Sequence, residues 1–290
     1  MEQGHGSFHR KVYLLGVFRV YREGQLCALS GEKTQALLAY LVLHPRLPQP
    51  REKLADLFYP EAPFERVRRN LSDTLYRLQK ALGGDWFMIE RDTVALRLDE
   101  RLWVDVWEFE RLAGSDREGD LQKAVDLYGG DLLPELYDDW ILSERELHRN
   151  QYLTTLENLA AAQETSGKLQ QALLSWRRLI SAEPLHEPAH QAYLRLLGRL
   201  QRYGEALAHY EYLKTLMRSE LDVEPLAETR LVVESIERER DLATVQTLVE
   251  ERTPFTGRRA ERAAAPLSWT LVTIQKHRSL RKVRRSPTTS

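Results

Sequence analysis

The chain has 290 residues, 42% hydrophobic and 29% charged, enough apolar material for two cores and enough charge for a wet surface. Its single cysteine, Cys27, excludes an internal disulfide framework and suits a reducing compartment, while its longest apolar run, ALLAYLVL at 36–43, is too short to span a bilayer. The net charge of −1 hides an asymmetry: residues 1–100 hold 15 basic and 13 acidic side chains, residues 101–250 hold 17 and 28, and residues 251–290 hold 10 and 2. A stretch at −11 repels phosphate at long range, so nucleic-acid contact is expected from the ends and protein contact from the middle. The opening MEQGHGSFHRK has no apolar stretch behind its charges, so no signal peptide and a cytoplasmic location are expected.

In chain order, KVYLLGVFRVYREGQLCAL reads as strand–turn–strand around Arg22-Glu23-Gly24. GEKTQALLAYLVLH then reads as a helix with Leu37, Leu38 and Leu41 inward, ended by Pro45. PREKLADLFYP is a short helix between Pro50 and Pro60, with Leu54, Leu57 and Phe58 inward. FERVRRNLSDTLYRLQKALGG, 64–84, is a third helix: at 100° per residue Val67, Leu71, Leu75, Leu78 and Leu82 form one stripe, and Gly83-Gly84 ends it. Opposite the stripe stand Arg66, Arg69, Asp73, Tyr76, Arg77 and Lys80, with Asn70 at the margin. WFMIERDTVALRL follows as a hairpin turning at Arg91-Asp92, with Val94, Leu96 and Leu98 on one face.

A basic helix face is most often only a solvated face. Here the order of strand pair, three helices and hairpin is that of a winged helix-turn-helix, whose third helix enters the major groove while the hairpin touches backbone. The DNA-binding residues expected on this reading are Arg66, Arg69, Asn70, Asp73, Tyr76, Arg77, Lys80 and, at the wing tip, Arg91. Asp73 lies four residues from both Arg69 and Arg77. It can brace the two guanidinium groups, the preferred reading, or accept a hydrogen bond from a cytosine amino group.

Residues 101–240 read as all-α and partly repetitive. LQKAVDLY (121–128), LQQALLSW (169–176) and YGEALAHY (203–210) each place Ala fourth and an aromatic eighth. The last two are spaced like tetratricopeptide repeats, although an ordinary helical bundle is the plainer alternative. HEPAH at 186–190 matches the zinc-protease pattern, but Pro188 belongs in a first helical turn and cannot sit mid-helix between two ligands. No phosphate-binding glycine motif is present, so no enzyme activity, no cofactor and no metal are expected.

RVRRNLSDTLYRLQKALG, VDVWEF at 104–109, YGGDLLPELYDDWILSER at 128–145, AEPLHEPAH at 182–190 and ELDVEP at 220–225 occur in an order that resembles the SARP-type transcriptional activators. The resemblance runs from about Val12 to Arg240 and implies a winged-helix DNA-binding domain over 1–100 and a bacterial transcriptional activator domain over 101–240. The expected fold is mainly α, an N-terminal winged helix-turn-helix (α+β) before an all-α tetratricopeptide-like domain. The resemblance also implies binding to direct repeats in double-stranded promoter DNA, with room for self-association there, and recruitment of RNA polymerase; no membrane partner is implied. The rival reading is a repeat-type adaptor whose winged helix docks protein. Two departures stand out: Asp73 on the DNA-facing side, and Asp222 where the family has Gly. Residues 241–290 read as a linker and basic tail, in which TPFTGRRAER at 253–262 looks like the start of a truncated ATPase domain.

Overall fold

The computed structural model of the chain describes residues 8–252. Strands β1 (Arg10–Tyr13) and β2 (Arg19–Arg22) pair antiparallel with Val12 opposite Val20. Glu23 and Gly24 take φ of 51° and 79°, the two positive values a tight hairpin turn needs, and β3 (Gln25–Leu26) returns beside β2. Three helices follow, α1 (Glu32–Leu43), α2 (Arg51–Phe58) and α3 (Phe64–Leu82). Helix α1 is buried all round from Ala36 to Val42, because α3, the wing and Trp140 all pack on it; Tyr40 meets Trp140 edge-on at 5.2 Å. On α3 the stripe Leu71, Leu75, Leu78 and Leu82 is buried as expected and Val67 half-buried.

The wing is β5 (Phe87–Ile89) and β6 (Thr93–Leu96), and it gains a third strand from β4 (Gln49–Pro50), giving the order β4-β6-β5. Val94 and Leu96 face the core, but Leu98 is half-exposed, because the strand ends at Leu96 and the chain leaves the sheet. Gly83 ends α3 at φ 94°. A Cβ there would lie 2.5 Å from the Arg22 guanidinium, which donates to the Leu82 carbonyl at 3.1 Å.

A fourth strand joins the first sheet from beyond residue 100: β7 (Leu102–Val104) runs parallel to β1, for the order β3-β2-β1-β7. Helix α4 (Asp105–Ala113) starts directly after it. Asp105, 1% exposed, accepts backbone N–H bonds from Leu14, Leu15 and Val106 at 2.8–2.9 Å. Next come α5 (Glu118–Leu127), α6 (Asp139–Thr165), α7 (Leu169–Ala182), α8 (Glu187–Arg199), α9 (Tyr203–Leu221) and α10 (Ala227–Arg252). Between α5 and α6, Leu132, Leu133 and Leu136 enter the same core as α1–α3, held from behind by Arg145, which donates to all three of their carbonyls at 2.6–2.8 Å.

The repeat spacing has the expected packing. Ala124, Ala172 and Ala206 are fully buried where helices approach. Tyr128 stacks flat on Tyr152 at 4.0 Å, and Trp176 donates to Glu164 at 2.8 Å. Asp222 adopts the left-handed conformation at φ 55° that ends α9, so this aspartate does serve where a glycine would. The mainly α fold class, a winged helix-turn-helix followed by a tetratricopeptide-like helical region, is the architecture found. Residues up to Asp241 form one compact unit; a second begins at Leu242 and is described to the end of α10. The tail from 253, with TPFTGRRAER, lies outside the described residues.

Candidate nucleic-acid interface

Helix α3 presents its polar side outward because its apolar stripe is fully used by the core. Arg66, Arg69, Asp73, Arg77 and Lys80 are all exposed, and Tyr76 is 65% exposed. Asn70, at the margin of the wheel, is half-buried. An outward-facing tyrosine among cations offers apolar contact and a hydroxyl beside charges that suit phosphate. Thr74 is instead buried against the Tyr59 hydroxyl, which fixes the angle between α2 and α3.

Arg91 is exposed in the β5–β6 turn, as expected for a wing tip. It shares a cleft of about 410 Å³ with Arg51, Arg68 and Ser72. The Arg51 amide donates to the Asp92 carbonyl at 2.9 Å, tying the wing to the start of α2, and its guanidinium donates to Ser72 Oγ at 2.9 Å. Arg68 pairs with Glu52. Sequence reasoning passed over Arg51 and Arg68. Arg51 directly after Pro50 marks a helix start, where an arginine stands beside free amides, but only the pairing of β4 with β6 brings the wing to it.

The bracing expected of Asp73 is not found. Among the described residues the ion pair made by α3 is Arg68 with Glu52, and neither Arg69 nor Arg77 pairs with Asp73. An exposed pair four residues apart gains only ~0.3–0.5 kcal/mol, too little to hold two long side chains against their entropy. If α3 enters the major groove and Asp73 reads a cytosine there, Asp73→Asn should relax preference at one base position by ~1–3 kcal/mol and leave other positions alone. Binding titrations over single-base operator variants check this; a uniform change across all of them would contradict it.

The HEPAH residues each have a structural task. His186 caps α8, accepting from the Ala189 amide at 3.2 Å. Glu187 is buried and accepts from the Leu226 amide at 2.7 Å and from Thr229. His190 is buried, bonding the Pro184 carbonyl and His209 at 2.9 Å each. Pro188 stands in the first turn of α8, which puts the two histidines at and inside the helix start rather than on one mid-helix face.

Residues 104–237 match the family described as "Bacterial transcriptional activator domain". Regulatory protein AfsR of Streptomyces coelicolor is 26% identical over 223 residues, covering 73% of this chain and 22% of AfsR. The AfsR of Streptomyces griseus is 26% identical over 226 residues, covering 74% and 23%. The chain thus spans less than a quarter of the length of these curated relatives. The solved structure of Mycobacterium tuberculosis EmbR in complex with a low affinity phosphopeptide resembles this fold with TM-score 0.65 at 21% identity, covering 87% of this chain and 74% of that one. Among the described residues, no helix is long and apolar enough to cross a membrane.

Proposed function

Because the chain is a SARP-type bacterial transcriptional regulator, we propose that it binds double-stranded DNA with α3 in the major groove and the Arg91 wing on the adjoining backbone. The observation that carries this reading is the outward face of α3. Arg66, Arg69, Arg77 and Lys80 stand exposed on one rigid helix whose other side is locked into the core. A helix of this kind fits a groove about 12 Å wide, and its guanidinium groups can reach guanine edges as well as phosphates. The acidic helical region, repelled by DNA, is left to meet protein, and an activator would present RNA polymerase with that surface. Residues 1–100 would then read DNA and 101–240 would turn binding into activation, in the cytoplasm and without catalysis.

A salt titration separates this from an adaptor role. The purified chain is expected to bind a labelled operator duplex with an affinity that falls steeply with salt, by about 0.9 in log–log slope for each phosphate neutralised. A chain that captures proteins but holds duplex no better than chance, at every salt concentration, would be the adaptor instead.

A further inference from the structure

We propose that the cleft between the end of α1 and helices α4 and α6 binds a small amphipathic amine, with its ammonium between Glu144 and His44. The cleft measures about 740 Å³, within the ~300–1,000 Å³ typical of small-molecule sites. One wall is the end of α1 with the loop that runs on to β4; the others are Leu98, α4 and α6. The residues that line it come from neither α3 nor α7–α9, so the site stands apart from DNA reading and from the inner side of the repeats.

Hydrogen bonding fixes what the cleft lacks. His44 Nδ1 lies 2.9 Å from the Tyr40 carbonyl, which can only accept, so the ring donates from Nδ1. Its neutral form therefore turns a bare Nε2 towards Glu144 Oε1, 3.9 Å away. Two acceptors at that spacing cannot bond one another, but a donor between them can bond both. His148 meets the same problem from within the protein. Its Nδ1 donates to the Glu144 carbonyl at 2.7 Å, so Nε2 can donate to Glu110, 3.2 Å away, only when the ring is charged. Burial pulls this imidazole down, but Glu110 and the Glu144 carbonyl outweigh it and hold His148 above its ordinary range.

Charge then selects an ammonium. His148 neutralises Glu110, and Arg111 is engaged by Glu108 through two bonds at 2.7–2.8 Å. Glu144 is left facing the bare nitrogen of His44, and an ammonium supplies both the missing charge and two N–H groups. Arg46, the remaining cation of the lining, is exposed to water, which screens it. The rest of the lining is largely apolar. Leu47 and Leu98 are 71% and 51% exposed, and the Trp107 indole is fixed by donating to the Val42 carbonyl at 3.1 Å. Covering such a surface favours a ligand with an aromatic or branched apolar body.

Isothermal titration calorimetry of the full chain near neutral pH tests this with indoles that share one body: tryptamine, indole-3-propionate and the uncharged 3-propylindole. Tryptamine is expected to bind saturably and at least about ten-fold more tightly than either of the others. Glu144→Gln keeps the shape and removes the charge; it should weaken tryptamine about ten-fold and leave 3-propylindole unchanged. His44→Phe keeps a ring over Tyr40, where the imidazole stacks at 4.2 Å, and should weaken tryptamine in the same direction. Circular dichroism identifies the variants that fold as the parent does, and either one suffices. No saturable binding of tryptamine up to about 1 mM, binding of indole-3-propionate as tight or tighter, or unchanged tryptamine affinity in a folded variant would each overturn the proposal.

Discussion

Asp105→Ala is expected to destabilise the chain by about 3–5 kcal/mol near about pH 4–5, the loss that follows when a buried acceptor is removed and its three N–H donors remain. The carboxylate takes N–H bonds from Leu14, Leu15 and Val106, and the two leucine residues are buried, so water cannot replace it. It also stands at the first residue of α4, where the helix dipole favours negative charge. Asp105 therefore welds the end of β1 to the start of α4, and a cut at residue 100 would remove this weld together with β7. Urea unfolding should show a lower midpoint with unchanged slope; a loss below about 1 kcal/mol would mean the amides find other partners. A pH signature accompanies it. Burial pushes the Asp105 carboxyl up to about 6, outweighing the amides that pull it down. Because this lies above the ordinary 3.8, the contribution is full below that value and is lost as pH rises through about 6. A total fall in stability of about 3 kcal/mol as pH rises from roughly 4 to 6.5 is expected in the parent chain and not in the alanine variant.

The legible parts of the sequence were those with long periodicity. The α3 stripe repeats over 19 residues, so its buried and exposed sides could be assigned from the wheel alone. The repeat alanines and the Arg91-Asp92 turn were equally readable, since small buried residues and turn residues mark themselves. Strands β4 and β7 were not readable: two and three residues carry no alternation, and each exists only because a distant strand pairs with it. The same non-local pairing explains why Arg51 was missed beside the wing, and why Leu132, Leu133 and Leu136 share a core with α1–α3. Asp73 failed for another reason. Spacing shows which side chains can meet, whereas the balance of a weak ion pair against side-chain entropy decides whether they do.

Arg69→Ala combined with Arg77→Ala is the second large effect expected, this time on function. Both side chains lie on the exposed face of α3, and neither is engaged in an ion pair among the described residues. Removing them should leave the fold intact, since the buried stripe Leu71, Leu75, Leu78 and Leu82 is untouched. If each arginine contributes ~1–3 kcal/mol at a base edge or phosphate, the pair should cost duplex affinity at least about 30-fold. Where the lost contacts are to phosphate, the salt slope should also fall by about 2. The measurement is an operator titration of parent and double variant at several salt concentrations, with circular dichroism confirming equal helix content. Loss of affinity in a fully folded variant is the predicted result. A folded double variant that binds the operator as tightly as the parent, with the same salt slope, would show that α3 is not the surface that meets DNA.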